Sequence, residues 1–181
     1  VGAGQRGDRA RHRRRVDPSG SADRARSDPR LAVEANDARR ARRRSIAVTS
    51  YIDSSALLKR YVAEPDSAVA AELLDADPVL ITSWVTAVEV RRNLARLLDG
   101  AVLRRARAQF NRDLDGFALV LCDEVVALAA AEIGETLGVR SLDAIHLASA
   151  RRVRDDRLTF VTFDLRQAQA ARSLGLTVRG A

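Results

Sequence analysis

From Ala47 onward the chain alternates short β-branched apolar runs with stretches long enough for helices, and this pattern most restricts the fold. Strands are expected at Ala47–Ile52, Pro78–Thr82, Phe117–Leu121, Thr159–Phe163 and, as a last edge strand, Leu176–Val178. Helices are expected from Ser54 or Ser55 to about Val62, over Ser67–Leu74 with Asp66 as cap, and from Ser83 to Leu97 or Leu98. Further helices are expected over Val102–Asp113, Glu124–Leu137, Ser141–Val153 and Gln167–Leu174, with Gly138 and Gly175 ending two of them. The strands are almost continuously apolar, as in a parallel sheet covered on both faces. An α/β fold with a mostly parallel central sheet follows.

Sites in such sheets lie beyond the carboxyl ends of the strands. Four carboxylates occupy places where an apolar segment meets a turn or a helix: Asp53 in YIDSSALLKRY, Glu89 in TSWVTAVEVRRNLARLL, Asp143 in SLDAIHLASA and Asp164 in FVTFDLRQAQAARSLG. Burying a carboxylate is costly unless something pairs with it. Four that converge would favour a hard divalent cation such as Mg²⁺ or Mn²⁺.

Each acid also has a plainer reading. Asp53 can cap the helix after it, although Ser54 and Ser55 can serve there as well. Glu89, between Val88 and Val90, can be a solvated helix residue paired with Arg92. Asp143 can simply favour the dipole of its helix start, the same field that keeps a ligand carboxylate ionised. Asp164 ends a strand, with Thr162 on the same side of it, so the Thr162 hydroxyl can hold a water or satisfy a backbone group. Ser54 has the same two readings. His146, one turn after Asp143, can pair with an acid, donate to a phosphate or be structural.

Other chemistries fit less well. Cys122 and His146 are the only soft ligand candidates after residue 47, which argues against zinc. The chain contains neither a GxxxxGK[ST] phosphate loop nor a GxSxG elbow, and no GxGxxG follows a strand. Trp84 and Phe110 are too sparse for a base-stacking platform, and Trp84 is expected in the core or an interface. Cys122 in LVLCDEVV reads as a small buried hydrophobe, and a single thiol fits a reducing cytoplasm.

Charge divides the chain. Residues 1–47 carry 14 arginines and no lysine against 6 acids, a net of +8, whereas residues 48–181 carry a net of −1. The whole-chain value of +7 therefore belongs to the front segment. That segment has few large apolar residues and two breakers, Pro18 and Pro29, so it reads as a basic low-complexity extension unable to offset its ordering entropy. Three readings stand: an arm that touches nucleic acid, a solvated tail, or an over-extended gene start. The chain has no Met and begins at Val1, and Val48 would serve equally well as a start. No apolar run approaches the length of a bilayer span, and a cytoplasmic location is expected.

Together the four acid-bearing texts resemble the PIN-domain ribonucleases and, within them, the VapC toxins of bacterial toxin–antitoxin pairs. The likeness covers residues 48–179 and rests on YIDSSALLKRY, AVEVRR, LDAIHLASA and FVTFDLRQAQAARSLG. It implies a Rossmann-like three-layer sandwich and a Mg²⁺- or Mn²⁺-dependent endoribonuclease acting on structured RNA. It also implies a homodimer inhibited by a cognate VapB-like antitoxin. Asp53, Glu89, Asp143 and Asp164 take the acidic roles, catalytic and metal-binding. Ser54 takes the hydroxyl position beside the first acid, and Thr162 the polar position before the last. Arg91, Arg92 and Arg96 near Glu89 are candidate RNA contacts. The front segment departs from the family pattern. A non-toxin RNA-processing nuclease and a catalytically silent interaction module remain as alternatives.

Overall fold

The computed structural model describes residues 49–181. The expectations for residues 1–47 lie outside them. Five strands appear in this span: β1 (Ser50–Ile52), β2 (Leu80–Ser83), β3 (Ala118–Val120), β4 (Thr159–Thr162) and β5 (Thr177–Gly180). Among the described residues there are seven helices. They are α1 (Ser54–Leu58), α2 (Ser67–Asp75), α3 (Trp84–Leu97), α4 (Gly100–Leu114), α5 (Glu124–Leu137), α6 (Ser141–Arg152) and α7 (Leu165–Ser173).

The sheet has the order β3-β2-β1-β4-β5, and every pairing is parallel. Alternation of side chains across β1 and β4 divides the core into two layers. Tyr51 and its register partner Phe160 stack with ring centroids 5.4 Å apart and join Val126, Ile133 and Leu147 beneath α5 and α6. Ile52 and Val161 point the other way, onto Leu57, Leu74, Leu94 and Phe110 from α1 to α4. Helices thus cover both faces, and the expected three-layer α/β fold is present.

The chain leaves β1 toward β2 on one side, while β4 lies on the other. The switch in strand order therefore falls between β1 and β4, where an open α/β sheet parts to form a crevice. Asp53 follows β1 and Asp164 follows β4, so both stand at this switch point.

Three local expectations need correction. The first helix ends at Leu58 rather than near Val62, because the chain turns ahead of Pro65 and Lys59 is drawn to Glu64. Asp66 precedes α2 but makes no side-chain capping bond. Cys122 is exposed, since β3 stops at Val120 and carries it into the loop before α5. No helix among the described residues is long and apolar enough to cross a membrane.

Candidate active site

Asp53 is the N-cap of α1: its Oδ1 accepts from the Ala56 amide at 3.0 Å and from the Ser55 hydroxyl at 2.8 Å. Asp164 caps α7 in the same manner, its Oδ1 accepting from the amides of Arg166 (2.8 Å) and Gln167 (3.0 Å). The expectation that Ser54 or Ser55 relieves Asp53 of capping is therefore wrong. Capping does not exclude ligation, however. In both aspartates the internal bonds fall on Oδ1, and Oδ2 is left without a hydrogen bond among the described residues. One oxygen secures the helix and the other is free of hydrogen bonds among the described residues.

Ser55 ties the two turns together. Its hydroxyl accepts from the Phe163 amide at 2.9 Å and gives its proton to Asp53. Thr162 supports the same turn from inside: fully buried, its hydroxyl donates to Gln167 Oε1 at 2.7 Å and accepts from the Asp164 amide at 3.1 Å. Of its two readings, satisfying a backbone group is the one the structure supports.

Glu89 lies in the second turn of α3 and reaches α6. His146, 1 % exposed, places Nε2 2.7 Å from Glu89 Oε2 and Nδ1 2.9 Å from the Tyr51 hydroxyl. Burial holds the Tyr51 phenol far above its usual pKa, so it keeps its proton beside Nδ1. Glu89, held ionised, can only accept, so Nε2 donates to it. Arg92, the partner suggested by spacing, is not in an ion pair with it. Of the readings of His146, pairing with an acid is the one found, but sequence reasoning did not name Glu89 or Tyr51 as its partners. The visible signal was His146 one turn from Asp143, but its partner lies 57 residues away.

The electrostatics show which groups share one field. Burial raises the pKa of Asp53, 3 % exposed, and the charge of His146 together with the bonds from Ser55 and Ala56 offset only part of it. Burial also opposes ionisation of Glu89, but the His146 bond and charge, with help from Ser54, hold its pKa below the usual value. Asp143 is raised by burial and then by the charges of Asp164 and Glu89, against Arg140 and His146. Asp143 thus feels both Asp164 and Glu89, and His146 acts on Asp53, Glu89 and Asp143 alike. Asp143 and Asp164 also line one cavity.

A direct four-carboxylate cage around a single ion is not what this geometry offers. Among the described residues no three His, Cys, Asp or Glu side chains stand close enough to grip one ion together. Mutual repulsion separates carboxylates that nothing neutralises. The donor chemistry still fits a hydrated hard cation. Mg²⁺ commonly keeps several waters and takes one or two carboxylates plus substrate phosphate oxygens. Here the oxygens are hard, two Oδ2 atoms are uncommitted, and two acids have pKa values raised in a way that a nearby cation would reverse.

A profile of the PIN domain matches residues 50–173. The chain belongs to the PIN-domain family. Ribonuclease VapC47 of Mycobacterium tuberculosis is 35 % identical over 133 residues, covering 69 % of this chain and 91 % of that protein. Ribonuclease VapC46 of the same species is also 35 % identical, covering 71 % of this chain and 94 % of its own length. Among solved structures, M. tuberculosis VapC20, described as a sarcin–ricin-loop-cleaving toxin, superposes with a TM-score of 0.57 at 18 % identity over 67 % of this chain and 94 % of its own. That likeness bears on the fold. Arg91, Arg92 and Arg96 on α3 are exposed, and none is in an ion pair among the described residues. Trp84 is not in the core; at 47 % exposure it starts α3 beside exposed Val88 one turn on.

Proposed function

We propose that this PIN-domain protein is a Mg²⁺- or Mn²⁺-dependent endoribonuclease and the toxin of a VapBC-type toxin–antitoxin pair. The supporting observation is the placement of Asp53 and Asp164 at the switch point, each with Oδ2 uncommitted, beside Glu89 and Asp143 in one field. The ribonuclease names of relatives at 35 % identity support the reaction class.

Asp53, Asp143 and Asp164 would hold a hydrated cation, in part through its waters, with Glu89 at its edge. When bound, the cation orients the scissile phosphate and offsets its developing negative charge. The chain's own residues supply the rest. His146 keeps Glu89 ionised and aimed, and Glu89 places the attacking water and accepts its proton. Ser55 fixes Asp53 against the Asp164 turn, and Ser54 supports Glu89. Arg91, Arg92 and Arg96 lie along the helix that carries Glu89 and give RNA a local positive potential that the near-neutral body otherwise lacks.

The nuclease domain spans residues 48–181, and a chain starting at Val48 folds and cleaves. The exposed Trp84–Val88 stripe supports a homodimer. The solved VapBC complexes among the structural neighbours, such as the DNA-bound VapBC of Salmonella typhimurium (TM-score 0.54, 16 % identity, covering 73 % of this chain and 97 % of that one), lead us to propose a VapB-like antitoxin as cytoplasmic partner.

The test is induction of wild type and Asp53→Asn in cells, with mapping of new RNA 5′ ends. Growth arrest with discrete new ends, both lost in the variant and relieved by the co-encoded antitoxin, is expected. Cleavage without arrest would make the protein a processing nuclease. No new ends with either protein would leave a binding module.

A further inference from the structure

We infer that the cavity beside Asp143 and Asp164 is a nucleotide subsite, in which Arg140 and Arg166 hold RNA phosphates flanking the scissile one and Gln169 meets a base. The inference rests on the ribonuclease reading above and adds where the substrate lies. The cavity has a volume of about 390 Å³, within the range of small-ligand sites and sufficient for one nucleotide.

Its lining has the parts a nucleotide needs. Asp143 and Asp164 form the edge nearest the chemistry, and they alone would repel a phosphate. Arg140 immediately precedes α6, and Arg166 lies in the first turn of α7, so each acid has an arginine within three residues at the same helix start. Both arginines are exposed. Neither forms an ion pair among the described residues, whereas Arg60, Arg152 and Arg157 all do. The charge of Arg140 acts on Asp143, but neither arginine closes onto an acid as an ion pair. These two share the cavity with the acids and keep their guanidinium groups available for the bidentate contact that phosphate favours. Val139 and Ala170 add apolar surface for a ring, and exposed Gln169 offers an amide donor and acceptor to a base edge. Arg140 makes no side-chain capping bond, so its replacement costs α6 nothing at that end.

The test uses full-length Asp53→Asn, whose Asn side chain retains the capping oxygen, and a fluorescein-labelled 12-nucleotide single-stranded RNA of random sequence, read by anisotropy across a salt series. Adding Arg140→Ala and Arg166→Ala together should weaken binding at least about tenfold. It should also lower the slope of log affinity against log salt by about 1.4, from ~0.7 per phosphate contact on a single strand. The control pair Arg151→Ala and Arg154→Ala, lining a different groove, should change binding by less than about threefold. Gln169→Ala should alter which base is enriched in RNA selected from the pool. Wild-type affinity and slope in the Arg140/Arg166 variant, or an equal loss in the control pair, would overturn the subsite. If the otherwise wild-type enzyme cleaves RNA and its Arg140→Ala/Arg166→Ala variant does so with unchanged KM, the subsite alone is wrong. If the wild type cleaves no RNA, the ribonuclease reading falls and the subsite with it.

Discussion

His146 Nε2 lies 2.7 Å from Glu89 Oε2, joining α6 to α3 through a ring that is 1 % exposed. The Tyr51 hydroxyl at 2.9 Å from Nδ1 holds the ring from its other side. Burial opposes the charge of this half-buried glutamate, and the bond and charge of His146 hold its pKa below the usual value.

Replacing His146 by Ala should lower cleavage about 10- to 100-fold, the usual cost of losing a group that orients a ligand or catalytic carboxylate. It also leaves the Tyr51 hydroxyl buried without its partner, at a cost of about 1–3 kcal/mol. His146→Gln, which can still donate to Glu89, should recover part of the rate. Steady-state cleavage and urea unfolding of both variants check this. An alanine variant with wild-type turnover would show that the relay is only structural.

Asp53 gives a pH-dependent effect with a definite sign. Its folded pKa is raised above the unfolded value, chiefly by burial, so the folded state binds its proton more tightly. Stability from this group is fully present below the unfolded carboxylate pKa and is lost as pH rises through the folded one. In EDTA, Asp53→Asn should therefore lose less stability than wild type on going from pH 4 upward. Asp53→Ala should also lose the α1 cap, worth about 1 kcal/mol, and melt below Asp53→Asn. Thermal melts of the three proteins across pH decide it. Parallel pH profiles for wild type and Asp53→Asn would refute the shift.

Gly180 restricts the other side of the site. Its φ is +104°, and a Cβ there would collide with the carbonyl oxygen of Thr162, its register partner on β4. Thr162 supports the turn that presents Asp164. Gly180→Ala should destabilise the domain by about 1–3 kcal/mol through backbone strain, and it should lower cleavage in the surviving folded fraction by displacing Asp164. A melt paired with activity normalised to folded protein tests both effects.

The parts of this protein that sequence showed best are those set by local pattern. SYI, LITS and TFVT are rich in β-branched and aromatic residues and buried throughout, so their strands, and the acids after the first and last, could be placed. Gly138, in the left-handed conformation, ends α5 where expected. What sequence did not show depends on distance in the fold. Glu89 looked like a surface residue with Arg92 nearby, because its partner comes from α6. Cys122 looked buried in LVLCDEVV, yet β3 is an edge strand only three residues long, and the apolar run continues past it into an exposed loop. That Asp53 caps α1 through one oxygen only, leaving the other without a hydrogen bond, could not be read until Ser55 and the β4 turn were seen beside it.

The central claim is that these acids cleave RNA with a divalent cation. The most direct measurement is cleavage of 5′-labelled structured RNA by purified protein, with matched reactions in Mg²⁺, Mn²⁺ and EDTA for wild type and Asp53→Asn. Discrete products with either metal, abolished by EDTA, restored by added Mn²⁺ and absent in Asp53→Asn, are the predicted result. Full cleavage in EDTA, or by folded Asp53→Asn, would contradict it.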